Sequence, residues 1–165
     1  MKALVLLSSP RPQGNTSALT EILCDQLRQS GAQTEVISLY EKEIQPCVAC
    51  RGCQGDWSTF ACVRQDDVAA IAEKILDCDL IVLATPIYSW YCTPPMKALL
   101  DRLVYGMNKY YGEQRGRHCG REKPWPCWRP AGIRRTRAVT FWRRESGVTA
   151  VIPDCGIWAA MPSGM

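Results

Sequence analysis

The sequence lacks any apolar run close to the roughly 20 residues that cross a bilayer, and histidine is almost absent. Its N-terminal apolar run is too short for a signal peptide, so we expect a cytoplasmic protein with no membrane partner. His118 is the only histidine among 165 residues. No Ser-His-Asp or paired-carboxylate arrangement is recognisable, so the sequence nominates no catalytic side chain. A chain of this length is about the size of one domain.

Leucine disappears from the last third of the chain. Residues 1–114 contain 13 leucines, whereas residues 115–165 contain none and hold four of the six tryptophans and nine arginines. The first part carries 10 Lys and Arg against 13 Asp and Glu, net −3, and the second carries 10 against 3, net +7. The overall charge of +4 therefore averages two dissimilar segments.

The first segment alternates apolar strands with amphipathic helices. Three apolar runs predict buried strands, ALVLLSS at 3–9, TEVISLY at 34–40 and DLIVLATP at 79–86. Helical spacing of apolar side chains predicts helices that begin near Thr16 or Ser17, near Asp66 and near Pro94. This alternation predicts an α/β domain with a doubly wound parallel sheet over residues 1–114. After about Gln114 no long periodic segment is recognisable, so the last strands of such a sheet are in doubt.

The loop SSPRPQGNTS, Ser8–Ser17, joins the first strand to the first helix, where parallel sheets place their ligands. Unpaired N–H groups and a positive dipole end make a helix N-terminus suitable for an anion. Hydroxyl and amide side chains and Arg11 add polar contacts. Neither a GxGxxG nor a GxxxxGK[ST] pattern is present, so a monophosphate fits better than a pyrophosphate or triphosphate. An ordinary capped loop is the alternative.

Two segments together resemble the flavodoxin-like NAD(P)H-dependent FMN reductase family over about residues 1–113. SSPRPQGNTS is similar to the phosphate-binding loop of that family, and ATPIYSWYCTPPMKALLDRL, residues 84–103, is similar to its second flavin segment. The resemblance implies a flavodoxin-like fold that binds FMN. The residues it implies for the FMN phosphate are Ser9, Arg11, Asn15, Thr16 and Ser17. Those it implies for the isoalloxazine ring are Pro86, Ile87, Tyr88 and Ser89.

The resemblance also implies an FMN-dependent oxidoreductase with NAD(P)H as co-substrate. In this family mechanism a nicotinamide nucleotide passes hydride to the flavin, which then delivers electrons to an acceptor that the sequence does not identify. Because the flavin carries the chemistry, the missing catalytic constellation is no objection. A homodimer is a further implication. The alternative function is a non-catalytic flavin or iron–sulfur electron-transfer protein. For the ring segment, the alternative is that Tyr88, Trp90 and Tyr91 only pack over the sheet edge.

Four of the ten cysteines form a compact pattern in the loop after the second strand. Cys47, Cys50, Cys53 and Cys62 are spaced C-x2-C-x2-C-x8-C, and four thiolates so spaced can surround one metal centre. The pattern resembles that of iron–sulfur flavoproteins, a branch of the same family, and this resemblance implies a 4Fe–4S cluster. The last gap is longer than is usual in that branch. Free or redox-active thiols, zinc and a disulfide are therefore alternatives.

The basic tail after Gln114 has two explanations. Arginines neutralise phosphates and aromatic rings stack on bases, so the tail could bind nucleic acid. The explanation that we favour is a change of reading frame near Gln114, which makes a nucleic-acid partner improbable. Residues 115–165 would then be an aberrant, out-of-frame tail without an independent domain.

The genetic code constrains this frame hypothesis. When each third codon base is read with the first two bases of the next codon, Trp125–Pro126 must encode Ala, whereas His118–Cys119 and Cys127–Trp128 must each encode Leu. Permitted codons from Arg115 onward give GPALRAGKALALLATCGYPPD, which contains the apolar strand that the family requires next. KPWPCWRP, residues 123–130, would be the out-of-frame counterpart of ALALLA. The encoding DNA tests the hypothesis, and an early stop codon in the shifted frame would contradict it.

Overall fold

The structure is a computed structural model that describes residues 1–56, 59–109, 116–117, 137–144, 147–151 and 158–160. Its helices and strands follow one another as β1 (Lys2–Leu7), α1 (Asn15–Gln29), β2 (Gln33–Ser38), α2 (Val68–Asp77), β3 (Leu80–Ala84), α3 (Pro94–Met107), β4 (Asn108–Lys109), β5 (Gly116–Arg117), β6 (Arg137–Arg144), β7 (Gly147–Val151) and β8 (Trp158–Ala160). Two single-turn 3-10 helices, Leu39–Glu41 and Gly52–Gln54, lie between β2 and α2. The first three strands confirm the predicted alternation of strand and helix.

The main sheet has the strand order β2-β1-β3-β6-β7-β8. β1 lies between β2 and β3 and is parallel to both, with Val5 opposite Val36 on one side and Val82 on the other. The order β2-β1-β3 is the one found in flavodoxin-like folds, whose parallel strands are joined by right-handed helical crossovers. The carboxyl ends of these three strands therefore share one edge of the sheet, and their loops meet there.

Helices cover both faces of the sheet, as the doubly wound arrangement requires. Alternate residues of β1 point to opposite faces, so Leu4 and Leu6 pack with α2 and α3, whereas Ala3 and Val5 pack against α1. The larger cluster contains Val68, Ile71 and Ile75 of α2 together with Met96, Leu99 and Leu103 of α3. Full burial of such a side chain contributes about 1.5–3 kcal/mol. These contacts fix the ends of the strands relative to one another.

The first helix begins earlier than the sequence predicts. Gly14 occupies the N-cap position of α1, and no side chain among the described residues caps the helix there. Thr16 and Ser17 lie inside the first turn, so the predicted cap at either residue is wrong. The hydroxyl of Ser17 instead donates to the carbonyl of Arg11 at 3.1 Å, which leaves the first N–H groups of the helix for another partner.

The strands after Gln114 differ from the expectation of no regular element there. β6 pairs parallel with β3, with Val139 opposite Val82, and β7 and β8 continue the sheet in antiparallel order. The segment RAVTFWRR carries the β-branched and aromatic residues that favour strands, and the open edge of β3 offers it backbone partners. His118 and the segment 123–130 lie outside the described residues. In the described part of the chain no helix is long and apolar enough to span a membrane.

Candidate functional site

Two loops at the carboxyl edge of the sheet are joined by buried hydroxyl groups. Ser8 follows β1 directly, Thr85 follows β3 directly, and Thr93 precedes α3. The N–H of Ser8 donates to the carbonyl of Ala84 at 2.7 Å, and the hydroxyls of Ser8 and Thr93 lie 2.5 Å apart. The N–H of Thr93 donates to the Thr85 hydroxyl at 3.2 Å. All three hydroxyl residues are buried, so the two loops are held together without any charge.

The loop before α1 curls around one carbonyl oxygen. The carbonyl of Arg11 accepts from the N–H of Gly14 at 3.0 Å and from the hydroxyls of Ser9 and Ser17 at 3.2 and 3.1 Å. A Cβ on Gly14 would lie 3.1 Å from the Cβ of Arg11 and 3.2 Å from its carbonyl oxygen. Only glycine fits this close approach without a shift, so the residue is needed for the shape of the loop.

The predicted phosphate-binding residues converge on the N-terminus of α1. The side chains of Arg11 and Asn15 are exposed and that of Thr16 is half-buried, while Ser9 and Ser17 fold the loop through the Arg11 carbonyl. The first turn of the helix contains no acidic residue. The uncapped N–H groups, the positive helix end and Arg11 together favour a small dianion such as a phosphate monoester.

The loop after β3 presents aromatic rings beside this N-terminus. Tyr88 and Tyr91 exchange backbone hydrogen bonds of 2.8 and 2.9 Å, and the two residues between them, Ser89 and Trp90, have positive φ angles of 45° and 67°. Positive φ at both central positions is the geometry of a type I′ turn, which glycine and asparagine prefer. Trp90 is 93% exposed, so it does not pack over the sheet edge as the alternative interpretation required.

The ring loop offers a mixed apolar and polar surface. Pro86 and Ile87 are half-buried, whereas Tyr88 and Ser89 are exposed. Tyr40, which follows β2, lies beside Tyr88. Burial raises the pKa of the Tyr40 hydroxyl and the Tyr88 hydroxyl adds to the rise, while a hydrogen bond with Thr93 opposes it. Tyr40 and Tyr88 thus contribute apolar rings and polar hydroxyls to one surface near Thr93.

Sequence reasoning missed the residues that hold the two loops together. The sequence predicts neither the network of hydroxyls from Ser8, Thr85 and Thr93 nor Tyr40 as part of the site. One signal was available, because Ser8 and Thr85 are the first polar residues after two adjacent parallel strands, whose ends must meet. The pairing with Thr93 spans 85 residues of sequence and has no local signal.

The four patterned cysteines line one pocket of about 100 Å³. Its wall also contains Arg51, Arg64, Arg102 and Tyr105, and it includes no carboxylate. The cysteine loop is fixed to α3, because the buried Gln54 donates through Nε2 to the carbonyl of Tyr105 at 2.6 Å. Among the described residues no group of three or more His, Cys, Asp or Glu side chains is placed to hold a metal ion. The structure therefore brings the cysteines together and does not show a metal centre.

Three residues of the cysteine loop have left-handed backbone conformations without being glycine. Their φ angles are 54° at Ala49, 61° at Arg51 and 53° at Ala61. Residues with a side chain pay about 1–2 kcal/mol for this conformation, and such strain often accompanies ligand-holding loops. The N–H of Ala49 donates to Cys47 Sγ at 3.4 Å, so this conformation turns a backbone donor toward a sulfur.

The other described cysteines have a different environment. Burial raises the pKa of the Cys24 and Cys92 thiols, and it raises the pKa of the Cys78 thiol to about 11. Such thiols stay protonated at neutral pH and react slowly. Cys24, Cys78 and Cys92 are therefore poorly suited to thiol chemistry.

The sequence and fold of this chain, with ligand-type loops after β1 and β3, are similar to those of known proteins. A family model described as NADPH-dependent FMN reductase matches residues 1–125. The chain belongs to this family. The match covers about three quarters of the sequence and includes both loops and the cysteine pocket.

Two curated relatives and one solved structure illustrate the FMN reductase family. An iron–sulfur flavoprotein of Methanocaldococcus jannaschii is 36% identical over 102 residues, which cover 62% of this chain and 51% of that protein. A Bacillus subtilis protein, named as an NAD(P)H-dependent FMN-containing oxidoreductase, is 34% identical over 102 residues with the same coverage. The chain thus spans about half the length of the curated relatives it matches. An NAD(P)H:quinone oxidoreductase of Methanothermobacter marburgensis shares the fold, with a TM-score of 0.56 and 22% identity over 67% of this chain and 57% of that one.

The residues present fit an FMN group. The N-terminus of α1 offers donors that no described side chain caps, and a Cβ at Gly14 would crowd Arg11 in the loop that places those donors. Uncapped backbone donors in a tightly folded loop suit a phosphate. The cysteine pocket fits an anionic group, because the Nε atoms of Arg64 and Arg102 are buried without a hydrogen-bond partner among the described residues.

Proposed function

We propose that this chain is an FMN-dependent NAD(P)H oxidoreductase that passes electrons to an acceptor yet to be identified. The observation that carries the proposal is the hydrogen bonding among Ser8, Thr85 and Thr93. These bonds hold the loop before α1 next to the aromatic loop after β3. One ligand with a phosphate at one end and a flat ring at the other matches this pair. FMN, when bound, supplies the chemistry of hydride acceptance.

The residues of the chain bind and orient the cofactor. Arg11 and the N–H groups at Asn15 and Thr16 neutralise and bind the phosphate, while Ser9 and Ser17 maintain the shape of the loop. Pro86, Ile87, Tyr88 and Ser89 would hold the ring. Because Tyr88 and Ser89 are exposed, a nicotinamide nucleotide could approach a ring bound beside them.

The test compares two glycine variants. Gly14→Val places a branched side chain where even a Cβ would lie 3.1 Å from the Cβ of Arg11, and overpacking of this kind costs about 1–3 kcal/mol. Gly55→Val is the matched control, because, its chain neighbours apart, no heavy atom of the described residues lies within 4 Å of a Cβ at Gly55. We expect Gly14→Val to weaken FMN binding roughly tenfold or more, measured by quenching of FMN fluorescence, and the control to bind as the unaltered chain does.

A measurement of NAD(P)H oxidation distinguishes the proposed oxidoreductase from a non-catalytic electron carrier. The FMN-loaded chain should oxidise NADPH or NADH and bleach its flavin absorption in the absence of oxygen. Bound FMN without nicotinamide oxidation would instead identify a non-catalytic electron carrier. A folded chain that binds no FMN would contradict both.

We also propose a 4Fe–4S cluster in the cysteine pocket, bound by Cys47, Cys50, Cys53 and Cys62. The pocket supports this because it collects all four cysteines and three arginines, without a carboxylate. A cluster bound by thiolates is an anion, and buried guanidinium groups stabilise it. Iron and acid-labile sulfide measured in anaerobically purified protein test the proposal, and zinc without sulfide would replace it.

A further inference from the structure

Arg102 is a deeply buried charged residue that lines the cysteine pocket. It extends from α3, and its side chain is 1% exposed. One terminal nitrogen pairs with the carboxylate of Asp66 and also donates to the carbonyl of Gln45 at 3.2 Å. The other terminal nitrogen donates to Cys62 Sγ at 3.3 Å. A single guanidinium thus connects a buried carboxylate to one of the four sulfurs.

Asp66 fixes the orientation of this guanidinium. Its side chain is fully buried, and it also accepts from the N–H groups of Gln45 at 2.9 Å and Val68 at 3.2 Å. Burial would raise the pKa of the Asp66 carboxyl, but Arg102 and these N–H groups outweigh it and lower the pKa. With its position held on that side, Arg102 has little freedom to turn away from Cys62.

Part of the hydrogen-bonding capacity of the pocket is unused. The Nε of Arg102 and the Nε of Arg64 are both buried and lack a partner among the described residues, and both residues line the pocket. A buried donor without an acceptor costs about 1–3 kcal/mol. An anionic group between the cysteines would supply acceptors for these donors.

Cys62 is the cysteine that most needs an external anchor. Eight residues separate it from Cys53, and the residue before it, Ala61, has a strained φ of 53°. The other three cysteines are separated by only two residues each, so their loop brings them together. Cys62 reaches the pocket through its contact with α3.

We propose that Arg102 is the positioning residue that holds Cys62 as the fourth sulfur ligand of the pocket and places a positive charge beside the bound cluster. This inference rests on the proposed iron–sulfur cluster. Hydrogen bonds and charges next to cluster sulfurs set both metal retention and reduction potential. A cation beside the cluster favours the reduced, more negative state, so its removal makes the potential more negative.

The experiment uses the full chain, purified without oxygen and reconstituted with ferrous iron and sulfide. Arg102→Gln removes the charge, and Arg102→Lys keeps the charge opposite Asp66 but loses the planar fork that reaches Asp66 and Cys62 together. Arg28→Gln is the matched control, because Arg28 forms an exposed ion pair with Asp25 on α1, 2.9 Å apart. Circular dichroism establishes which variants are folded.

We expect Arg102→Gln to bind iron about 10- to 100-fold more weakly in competition with a chelator, as outer-shell substitutions do. Its remaining cluster should have a more negative potential than the unaltered chain. Arg102→Lys should show an intermediate loss of iron with a smaller change in potential, and Arg28→Gln should show neither change.

Each outcome decides between the assignments. Folded Arg102 variants that retain iron and potential like the unaltered chain would overturn the role of Arg102 and leave the cluster in place. If Arg102→Gln does not fold, Arg102→Lys decides alone, because it keeps the ion pair. An unaltered chain that takes up no iron and sulfide yet oxidises NADPH with FMN would overturn this inference and the cluster, while the oxidoreductase function would stand.

Discussion

The two binding regions lie at the same edge of one sheet but are stabilised by different forces. The flavin loops are joined by neutral hydroxyls, with Ser8, Thr85 and Thr93 bonded to one another and to the backbone. The cysteine pocket is joined to the core by the buried ion pair of Arg102 and Asp66. A neutral network loses only neutral hydrogen bonds when one member is removed, whereas removing one partner of an ion pair leaves an uncompensated buried charge.

This contrast matches the ligands that the two regions fit. In the proposed site the phosphate of FMN would lie at an exposed helix end, where water and Arg11 would share its charge, so neutral groups would suffice behind it. A cluster in a pocket without carboxylates needs cations close to the sulfurs. Three arginines line that pocket, and Asp66 compensates the buried charge of Arg102.

The largest expected change in the free energy of unfolding comes from removing one partner of the buried ion pair. Arg102→Met should lower the free energy of unfolding by about 3–5 kcal/mol, because Asp66 is left buried and charged. The double variant Arg102→Met with Asp66→Leu removes both charges and should recover most of that loss. Urea denaturation measures both, and equal losses in the single and double variants would show that the charges do not act as a pair.

A smaller loss is expected in the hydroxyl network. Thr93→Val keeps the shape of the side chain but removes the donor to the Ser8 carbonyl at 3.1 Å, which should cost about 1–3 kcal/mol. Binding of FMN should weaken as well, since the two loops lose their connection. Thr59→Val is the control, because the Thr59 hydroxyl donates to Asp56 in an exposed bond of 2.8 Å. Equal unfolding curves for the two variants would contradict a special role for Thr93.

The smallest effect has the opposite sign. Trp90→Gly should raise the free energy of unfolding by about 1 kcal/mol, because glycine adopts the φ of 67° without the strain of a side chain. Trp90 is almost fully exposed, so little packing is lost. Trp90→Ala keeps a Cβ and should give no such gain in the same denaturation experiment. If alanine stabilises as much as glycine, the turn is not strained.

Local sequence patterns predicted most of the first 109 residues. Apolar runs located β1, β2 and β3, and polar loops after β1 and β3 located the two flavin segments. The pattern was less accurate at the start of α1, where it placed the cap at Thr16 or Ser17 rather than Gly14. The assignment of individual residues to the phosphate, the ring and the cluster stays a prediction, as do the homodimer and the cytoplasmic location.

The strands after Gln114 show the limit of pattern reading. The segment RAVTFWRR has three arginines among its eight residues, so it does not stand out as a buried strand, but an open edge beside β3 gives it a partner. The frame hypothesis for residues 115–165 also stays a prediction, which the encoding DNA can test. A nucleic-acid partner for the basic tail has no support from the described side chains, which end before it.

The sequence by itself determined the positions of β1, β2 and β3, the position of the anion-binding loop and the spacing of the cysteines. These features depend on neighbours within a few residues, so periodicity and turn chemistry report them. Only the tertiary structure decided that Thr93 bonds to Ser8 and that Arg102 reaches both Asp66 and Cys62, because those partners are 85, 36 and 40 residues apart. Contacts at such separations arise when helices pack on a common sheet, and no local pattern encodes them.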